Sequence, residues 1–187
     1  MKPQRSLKAR ALQWLAQRDQ SRAELRRKLL PHALAEVEAE VVAVAAAATT
    51  RAAPARGSLR AEASPQARVD ALLDWLEAHQ HLSQARFVES RIHARAPRFG
   101  NLRIRQELKQ HQVALPPLAA QALRDSELQR ALAVRERKFA APPSNAVERG
   151  RQARFLAGRG FSPEVIARAL RVSSRSAASA DEEAGTA

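Results

Sequence analysis

The chain has 187 residues, 45% hydrophobic but only 4% aromatic, with 32 Lys and Arg against 19 Asp and Glu and a formal net charge of +13. This composition suits one or two domains with thin helical cores, and the absence of cysteine excludes disulfides and thiolate metal sites. We expect a cytoplasmic protein because neither a signal peptide nor a membrane-spanning stretch is evident. The positive charge indicates a polyanionic partner, although genome base composition alone can also enrich arginine.

Helical periodicity organises the start of the chain. Apolar residues recur at helical spacing over 7–15 and predict a first helix that ends near Arg18. Ser21 followed by Glu24 matches a capping box, in which each side chain satisfies a free backbone N–H at the start of a helix. We therefore predict a second helix from Ser21 to Pro31.

Residues 33–65 differ from their surroundings. Their first half is Ala-rich and can extend as a helix, whereas the second half is poor in large apolar residues and typical of a linker or surface loop. We interpret the segment as an insertion. Ser64 and Pro65 then suit the N-cap and first position of a third helix, which carries a strong apolar stripe to about His79.

The middle of the chain predicts three further helices. Ser83 opens one that stops around 97–100, and Asn101 is suited to cap the next. The prolines at 116–117 begin a short helix with its own apolar residues. These three segments follow the same order as the first three.

The last third predicts another set of three. Ser126 and Gln129 match a second capping box, and residues 147–156 form the next helical segment. The glycines of 158–160 suit a left-handed helix end, after which Ser162 starts a final helix.

Nine helices in this order predict an all-α fold, an elongated tandem array of three three-helix repeats with an insertion in the first. We assign the repeats to residues 1–80, 81–125 and 126–171, and we expect residues 172–187 to form a disordered tail. Basic charge is concentrated in the first two helices of each repeat.

Binding is a better prediction than catalysis for this sequence. The five histidines are scattered, no metal or catalytic constellation stands out, and we predict no cofactor. Guanidinium groups pair bidentately with phosphate or carboxylate, although each arginine taken alone fits an ordinary solvated face. The candidate binding residues are Arg22, Arg26, Arg27, Lys28, Arg91, Arg95, Arg98, Arg103, Arg105, Lys109, Arg151, Arg154 and Arg159. Among them we expect Arg26, Arg27, Arg103 and Lys109 to line one binding face.

Three segments of the sequence stand out as motifs. The first is Ser21-Arg22-x-Glu24-Leu25-x-x-Lys28-Leu29. The second is Phe87 with Arg91, then Gly100-x-x-Arg103-Ile104-x-x-Glu107-Leu108. The third is Phe155-Leu156-x-x-Arg159-Gly160-Phe161, followed by Val165, Ile166 and Leu170. Together they span about residues 7–171, apart from the insertion, and in this order they resemble the motifs of the RecX family of regulatory proteins.

This resemblance implies a curved array of three-helix units that binds in the groove of RecA recombinase filaments on single-stranded DNA. Family members inhibit the ATPase, strand-exchange and coprotease activities of RecA, which places them in homologous recombination, DNA repair and the SOS response. The partners implied are RecA and single-stranded DNA, with double-stranded DNA as a further candidate, and we expect a monomer with no membrane contact. The rival interpretation is a general nucleic-acid-binding protein that acts without RecA.

The sequence departs from the family pattern at several places. The insertion over 33–65 replaces a short linker, and Ser83 stands where an acidic residue is usual. Gln112 occupies a position where the family has glycine, and the chain contains no tyrosine. These departures bear on particular contacts more than on the fold.

Overall fold

The computed structural model describes residues 5–49 and 64–171, and these residues contain helices and no strand. The all-α prediction is therefore confirmed for the described part of the chain. The helices are α1 (Leu7–Gln17), α2 (Arg22–Thr49), α3 (Pro65–Ala78), α4 (Gln84–Arg95), α5 (Asn101–Gln110), α6 (Pro117–Glu136), α7 (Ala146–Gly158) and α8 (163–171). The predicted tail and much of the predicted linker, residues 172–187 and 50–63, lie outside the described residues.

The chain divides into two compact units, Met1–Phe87 and Val88–Ala187, here called the first and second unit. None of the described helices combines the length and apolar character needed to cross a membrane. The boundaries of the three predicted repeats stay a prediction.

In the first unit, α1, α2 and α3 pack around a core of leucines and smaller apolar residues. Serines start α2, α3 and α4 as predicted. Ser21, Ser64 and Ser83 each accept a hydrogen bond from the backbone N–H three residues later. The capping box at Ser21 is only half formed, because the Glu24 carboxylate bonds to Arg18 and Lys28 instead.

The predicted end of the second helix at Pro31 is wrong, because α2 continues through this residue to Thr49. Proline costs a helix interior about 3 kcal/mol, so packing must offset it. Leu29 and Ala33, on either side of Pro31, are fully buried in the core. Further along, Glu40 on α2 pairs with Arg68 on α3 at 2.7 Å. The first part of the predicted insertion is therefore a helix.

In the second unit, a core built from α6, α7 and α8 includes Leu156, Phe161 and Ile166. The capping box predicted at Ser126 and Gln129 is wrong, because α6 runs unbroken from Pro117 to Glu136. The Ser126 hydroxyl donates to the Ala122 carbonyl at 2.8 Å, the usual bond of a serine inside a helix. With neither Gly nor Pro in the 118–136 stretch, nothing stops the helix there. The structure thus has eight helices in the described residues where nine were predicted.

Left-handed residues follow three of the helices. Gln80 after α3 has φ 59°, Gln112 after α5 has φ 56°, and Gly160 after α7 has φ 80°. Of the two glycines predicted to suit a left-handed helix end, Gly160 has this conformation, whereas the prediction is wrong for Gly158, which is the last residue of α7. Gln112, a departure from the family's glycine, therefore stands at a position that favours glycine, since a side chain in this region is strained by about 1–2 kcal/mol.

Candidate functional site

The second and third motifs meet in the second unit through backbone hydrogen bonds. The N–H of Gly100 donates to the Arg159 carbonyl and that of Leu102 to the Gly160 carbonyl, both at 3.0 Å. A Cβ added to Gly100 would lie 2.3 Å from the Gly160 oxygen, and one added to Gly160 would lie 2.6 Å from the Cβ of Arg103. The two glycines are thus required by close approach, which brings the start of α5 against the end of α7.

A buried carboxylate fixes the start of α5 and of α8 together. Glu127 on α6 accepts from the backbone N–H of Asn101 at 3.0 Å, from the Asn101 amide at 2.9 Å and from the N–H of Ser162 at 3.3 Å. Asn101 was predicted to cap α5, but Gly100 occupies the N-cap and Asn101 is the first helical residue. Arg130 completes the network through Asn101 and the Phe99 carbonyl, and burial lowers the pKa of its guanidinium.

Three arginines surround the ring of Phe99. The guanidinium carbon of Arg103 lies 4.9 Å from the ring centroid, and those of Arg95 and Arg159 lie 5.7 Å from it. Glu107 pairs with Arg95 at 2.8 Å and with Arg103 at 3.9 Å, so two of the three arginines share one carboxylate. We call Phe99 with these three arginines the Phe99 cluster.

The cluster continues across α7 as an alternation of cations and rings. Arg159 also lies over Phe155, with 5.0 Å between its guanidinium carbon and the ring centroid. Phe155 meets Phe139 edge to face at 5.3 Å, and Arg151 lies 5.8 Å from the Phe139 ring. We call this series the Arg–Phe ladder, which consists of Arg103, Phe99, Arg159, Phe155, Phe139 and Arg151.

An open cleft of about 300 Å³ lies beside the ladder. Its lining consists of Arg98, Val134, Arg137, Lys138, Phe155 and Arg159. The Arg137 guanidinium bonds to the Pro97 carbonyl, and that of Arg159 reaches the Arg98 carbonyl at 3.4 Å, so the protein backbone holds both in place. Four of the six lining residues are basic.

This arrangement suits a ligand that carries both negative charge and flat rings. A guanidinium over a ring face keeps its charge and its N–H groups, and each such contact contributes about 0.5–1 kcal/mol when exposed. Residues 88–171 hold 17 basic and 7 acidic side chains, so the basic groups of this range outnumber the carboxylates that could neutralise them. No group of metal-binding side chains occurs among the described residues.

Two of the predicted binding residues in the first unit are paired within the protein. Arg22 bonds to Asp74 at 2.6 Å and to Glu77 at 2.8 Å, and Arg26 holds both oxygens of Asp70 at 2.7 and 3.1 Å. Burial lowers the pKa of Arg22, but the two carboxylates outweigh it and leave the pKa raised. The hydrogen bond from Arg26 lowers the pKa of Asp70. These arginines bind α2 to α3.

The other predicted binding residues of α2 and α5 differ in their partners and in the side of the helix on which they lie. Lys28 bonds to Gln20 and pairs with Glu24, whereas Arg27 is exposed and makes no hydrogen bond or ion pair with the described residues. At about 100° per residue, Arg105 and Lys109 lie about 160° and 120° around α5 from Arg103. Arg103 and Lys109 therefore do not share one stripe of α5, and their common binding face stays a prediction.

The remaining predicted binding residues lie near the ladder or on other parts of the surface. Arg91 on α4 is half-buried, and Arg154 on α7 is exposed. Arg95, Arg98 and Arg159 meet around the cluster and the cleft.

The phenylalanines of the ladder were not predicted as site residues, and neither were Arg137 and Lys138. A signal for the rings was present: residues 95–103 and 151–159 both read Arg-x-x-Arg-Phe-x-x-x-Arg. Spacings of four place side chains on one helix face, which applies to the copy in α7, whereas the copy at 95–103 spans the connection between α4 and α5. The two copies supply all members of the ladder except Phe139.

Known proteins resemble the chain over nearly its whole length. A family model described as "RecX, third three-helix domain" matches residues 125–170. The Regulatory protein RecX of Ralstonia nicotianae is 44% identical over 168 residues, which cover 88% of this chain and 86% of the relative. That of Leptothrix cholodnii is 42% identical, with 91% of each chain covered.

A more distant relative matches over the same extent. The Regulatory protein RecX of Neisseria gonorrhoeae is 33% identical over 178 residues, which cover 91% of this chain and 93% of the relative. The chain belongs to the RecX family.

Proposed function

We propose that this protein binds RecA filaments on single-stranded DNA and inhibits their ATPase, recombinase and coprotease activities. The relatives are named as regulatory proteins, which favours a regulator over an enzyme. The observation that carries the proposal is the Phe99 cluster, where two family motifs meet and hold three guanidinium groups around one ring. Such a surface fits DNA phosphates, bases or an acidic protein groove.

The mechanism we propose is steric and electrostatic. A protein that occupies the filament groove through the Arg–Phe ladder blocks access to DNA and to the cleaved repressor, and no covalent step is needed. The three repeats at residues 1–80, 81–125 and 126–171 are part of this proposal, because repeated units can bridge neighbouring RecA protomers. We propose that the protein acts as a monomer.

ATP hydrolysis by preformed filaments of RecA on single-stranded DNA tests the proposal. Titration with this protein at substoichiometric amounts is expected to slow hydrolysis, and the inhibition should weaken at higher salt because arginine contacts are screened. Unchanged hydrolysis at saturating protein in low salt would refute the proposal.

The second candidate is a general nucleic-acid-binding protein that acts without RecA. The alternation of arginines and rings in the ladder favours it, because aromatic stacking with basic groups is a common way to hold single strands. Retention on immobilised RecA without DNA separates the two candidates. Retention supports the RecA regulator, whereas salt-sensitive DNA binding with no retention supports the second candidate.

A further inference from the structure

A second cleft of about 250 Å³ adjoins the first one in the second unit. It is lined by Lys138, Phe139, Ala140, Ala141, Pro142, Glu148, Arg151 and Gln152. Lys138 lines both clefts, and the edge-to-face pair of Phe139 and Phe155 contributes one ring to each. A cation is therefore shared by two small cavities, each of which has a phenylalanine in its wall.

Gln152 gives the second cleft an unusual polar group. Only 4% of this residue is exposed. Its amide Nε2 donates to the Ala141 carbonyl at 3.2 Å, but its Oε1 has no hydrogen-bond donor among the described residues. A buried acceptor without a partner is unfavourable, so the site favours a ligand that brings an N–H.

The other polar groups of the cleft differ in their availability. The Glu148 carboxylate is used locally, because it accepts from the Ser144 N–H at 2.8 Å and from the Ser144 hydroxyl at 2.9 Å. These bonds also lower the pKa of Glu148. The Lys138 ammonium makes no hydrogen bond or ion pair with the described residues, and Arg151 lies over the Phe139 ring. The cleft thus offers two cations, one ring and one unpaired acceptor.

We propose that the second cleft receives one unstacked base of single-stranded DNA. The base packs against Phe139, and the adjoining phosphates lie at Lys138 and Arg151. The Gln152 Oε1 is buried in the wall of the cleft, so its side chain turns on binding to accept an N–H from the pairing edge of the base. The cleft volume of about 250 Å³ lies just below the range of ligand cavities, which begins at about 300 Å³, and so suits one small flat group. The site depends on the proposed function only in taking single-stranded DNA as the polymer.

The choice of nucleic acid follows from the combination of groups. Thymine and guanine carry a ring N–H and adenine and cytosine an amino group, so every base brings the donor that Gln152 lacks. Stacking on an aromatic side chain is equally tolerant of sequence, because every base has a flat face. An acidic peptide would use the two cations but would leave the ring of Phe139 without a flat partner, and it becomes an outcome of the test below.

Binding of thymidine oligonucleotides to the full chain without RecA tests the site. The probes are a fluorescent 15-mer of thymidine, the same oligomer with N3-methylthymidine, and an abasic oligomer of equal length. Methylation removes the N–H donor without changing the backbone or the protein. We expect it to weaken binding to the wild type about fivefold, and loss of the bases to weaken it more. A deoxyuridine oligomer, which keeps the N–H, is the ligand control and should bind like thymidine.

Protein variants complete the cycle. Gln152→Met should bind the thymidine and N3-methylthymidine oligomers equally, because the acceptor is gone. Lys138→Gln should weaken all oligomers by the same factor, and Lys109→Gln on α5 is its matched control with a smaller effect. Lys138 is exposed, so this variant does not depend on refolding of the core.

Equal affinity of the wild type for all oligomers, including the abasic one, would overturn the base site and show binding to phosphate alone. The same conclusion follows if an acidic peptide such as oligoglutamate competes at equal charge concentration. These outcomes leave the proposed function untouched, because RecA is absent, and RecA inhibition can be measured separately with the same proteins.

Discussion

The two units use their arginines in opposite ways. Residues 5–49 and 64–87 of the first unit hold ten basic and eight acidic side chains, whereas residues 88–171 of the second hold 17 and 7. In the first unit Arg22 and Arg26 pair with three carboxylates on α3. In the second, Arg95, Arg103 and Arg159 surround a phenylalanine, and two of these arginines share a single carboxylate, that of Glu107. A cluster of basic residues in a sequence therefore locates a binding surface only after its intramolecular partners are known.

The physical basis of this difference is the availability of N–H groups. A bidentate carboxylate such as Asp70 occupies one edge of the guanidinium and neutralises its charge. A ring beneath the guanidinium limits its motion but leaves its N–H edges in the plane available. The arginines of the second unit that lie over rings are ordered and keep their charge. They therefore lose less conformational entropy when they bind an anion than unrestrained surface arginines would.

The largest loss of stability is expected when the close contact between α5 and α7, which builds the Phe99 cluster, is disrupted. Gly100→Ala places a Cβ 2.3 Å from the backbone of Gly160 and Phe161, where no flexible side chain can yield. We expect a loss of about 3 kcal/mol in the free energy of unfolding, measured by urea titration with circular dichroism.

Gly158→Ala is the matched control, because an added Cβ there has nothing within 4 Å. This variant should be as stable as the wild type or slightly more stable, since alanine favours the helix. If Gly100→Ala were equally stable, the close contact between α5 and α7 would be contradicted.

A second prediction concerns the ion pairs of the first unit and their dependence on pH. Burial raises the pKa of Glu24, but hydrogen bonds and charges from Arg18 and Lys28 outweigh it and leave the pKa lowered. A lowered pKa means that the contribution of Glu24 to stability is full above its unfolded pKa of about 4.3 and lost as the pH falls through the folded value. Glu24→Gln should cost about 1 kcal/mol at pH 7 and progressively less below about pH 4.

Urea unfolding at pH 7, 4 and 3 checks this prediction, with the exposed Glu89→Gln as control. The control should leave the stability almost unchanged. A deficit of Glu24→Gln that stays constant from pH 7 to pH 3 would contradict the pairing of Glu24 with Arg18 and Lys28.

The smallest change in stability is expected at a feature that both units share, a left-handed residue at the end of a helix. Gln80 and Gln112 end helices in the left-handed conformation, one in each unit. Replacement by glycine relieves strain but gives the unfolded chain more freedom, so each variant should gain about 0.5 kcal/mol. Thermal unfolding measures the gain, and a loss of stability at Gln112 would contradict the left-handed assignment.

Local signals in the sequence were sufficient for much of the fold. The serine caps at Ser21, Ser64 and Ser83 and the left-handed Gly160 depend on neighbouring residues, and the structure confirms them. The continuation through Pro31 could not be predicted, because it depends on packing against α3, which is distant in sequence.

The site could be predicted only in part, for the same reason. Arginines were recognised, but the partners of Arg22 lie 52 and 55 residues away, so pairing could not be distinguished from exposure. Phe99 lies in a turn without apolar periodicity, and only the repeated Arg-x-x-Arg-Phe-x-x-x-Arg pattern marks it. The docking of Gly100 on Gly160 is a tertiary contact without a local signal.

Inhibition of RecA by two charge-matched variants tests whether the second unit carries the binding surface. Arg103→Gln with Arg159→Gln removes two cations of the Phe99 cluster, and Arg22→Gln with Arg26→Gln removes two paired cations of the first unit. With ATP hydrolysis by RecA on single-stranded DNA as the readout, we predict that the first variant needs at least about tenfold more protein for half inhibition, equivalent to about 1.4 kcal/mol. The second variant, checked for folding by circular dichroism, should inhibit like the wild type. Equal inhibition by both variants, or loss confined to the first unit's variant, would contradict the assignment of the binding surface to the second unit.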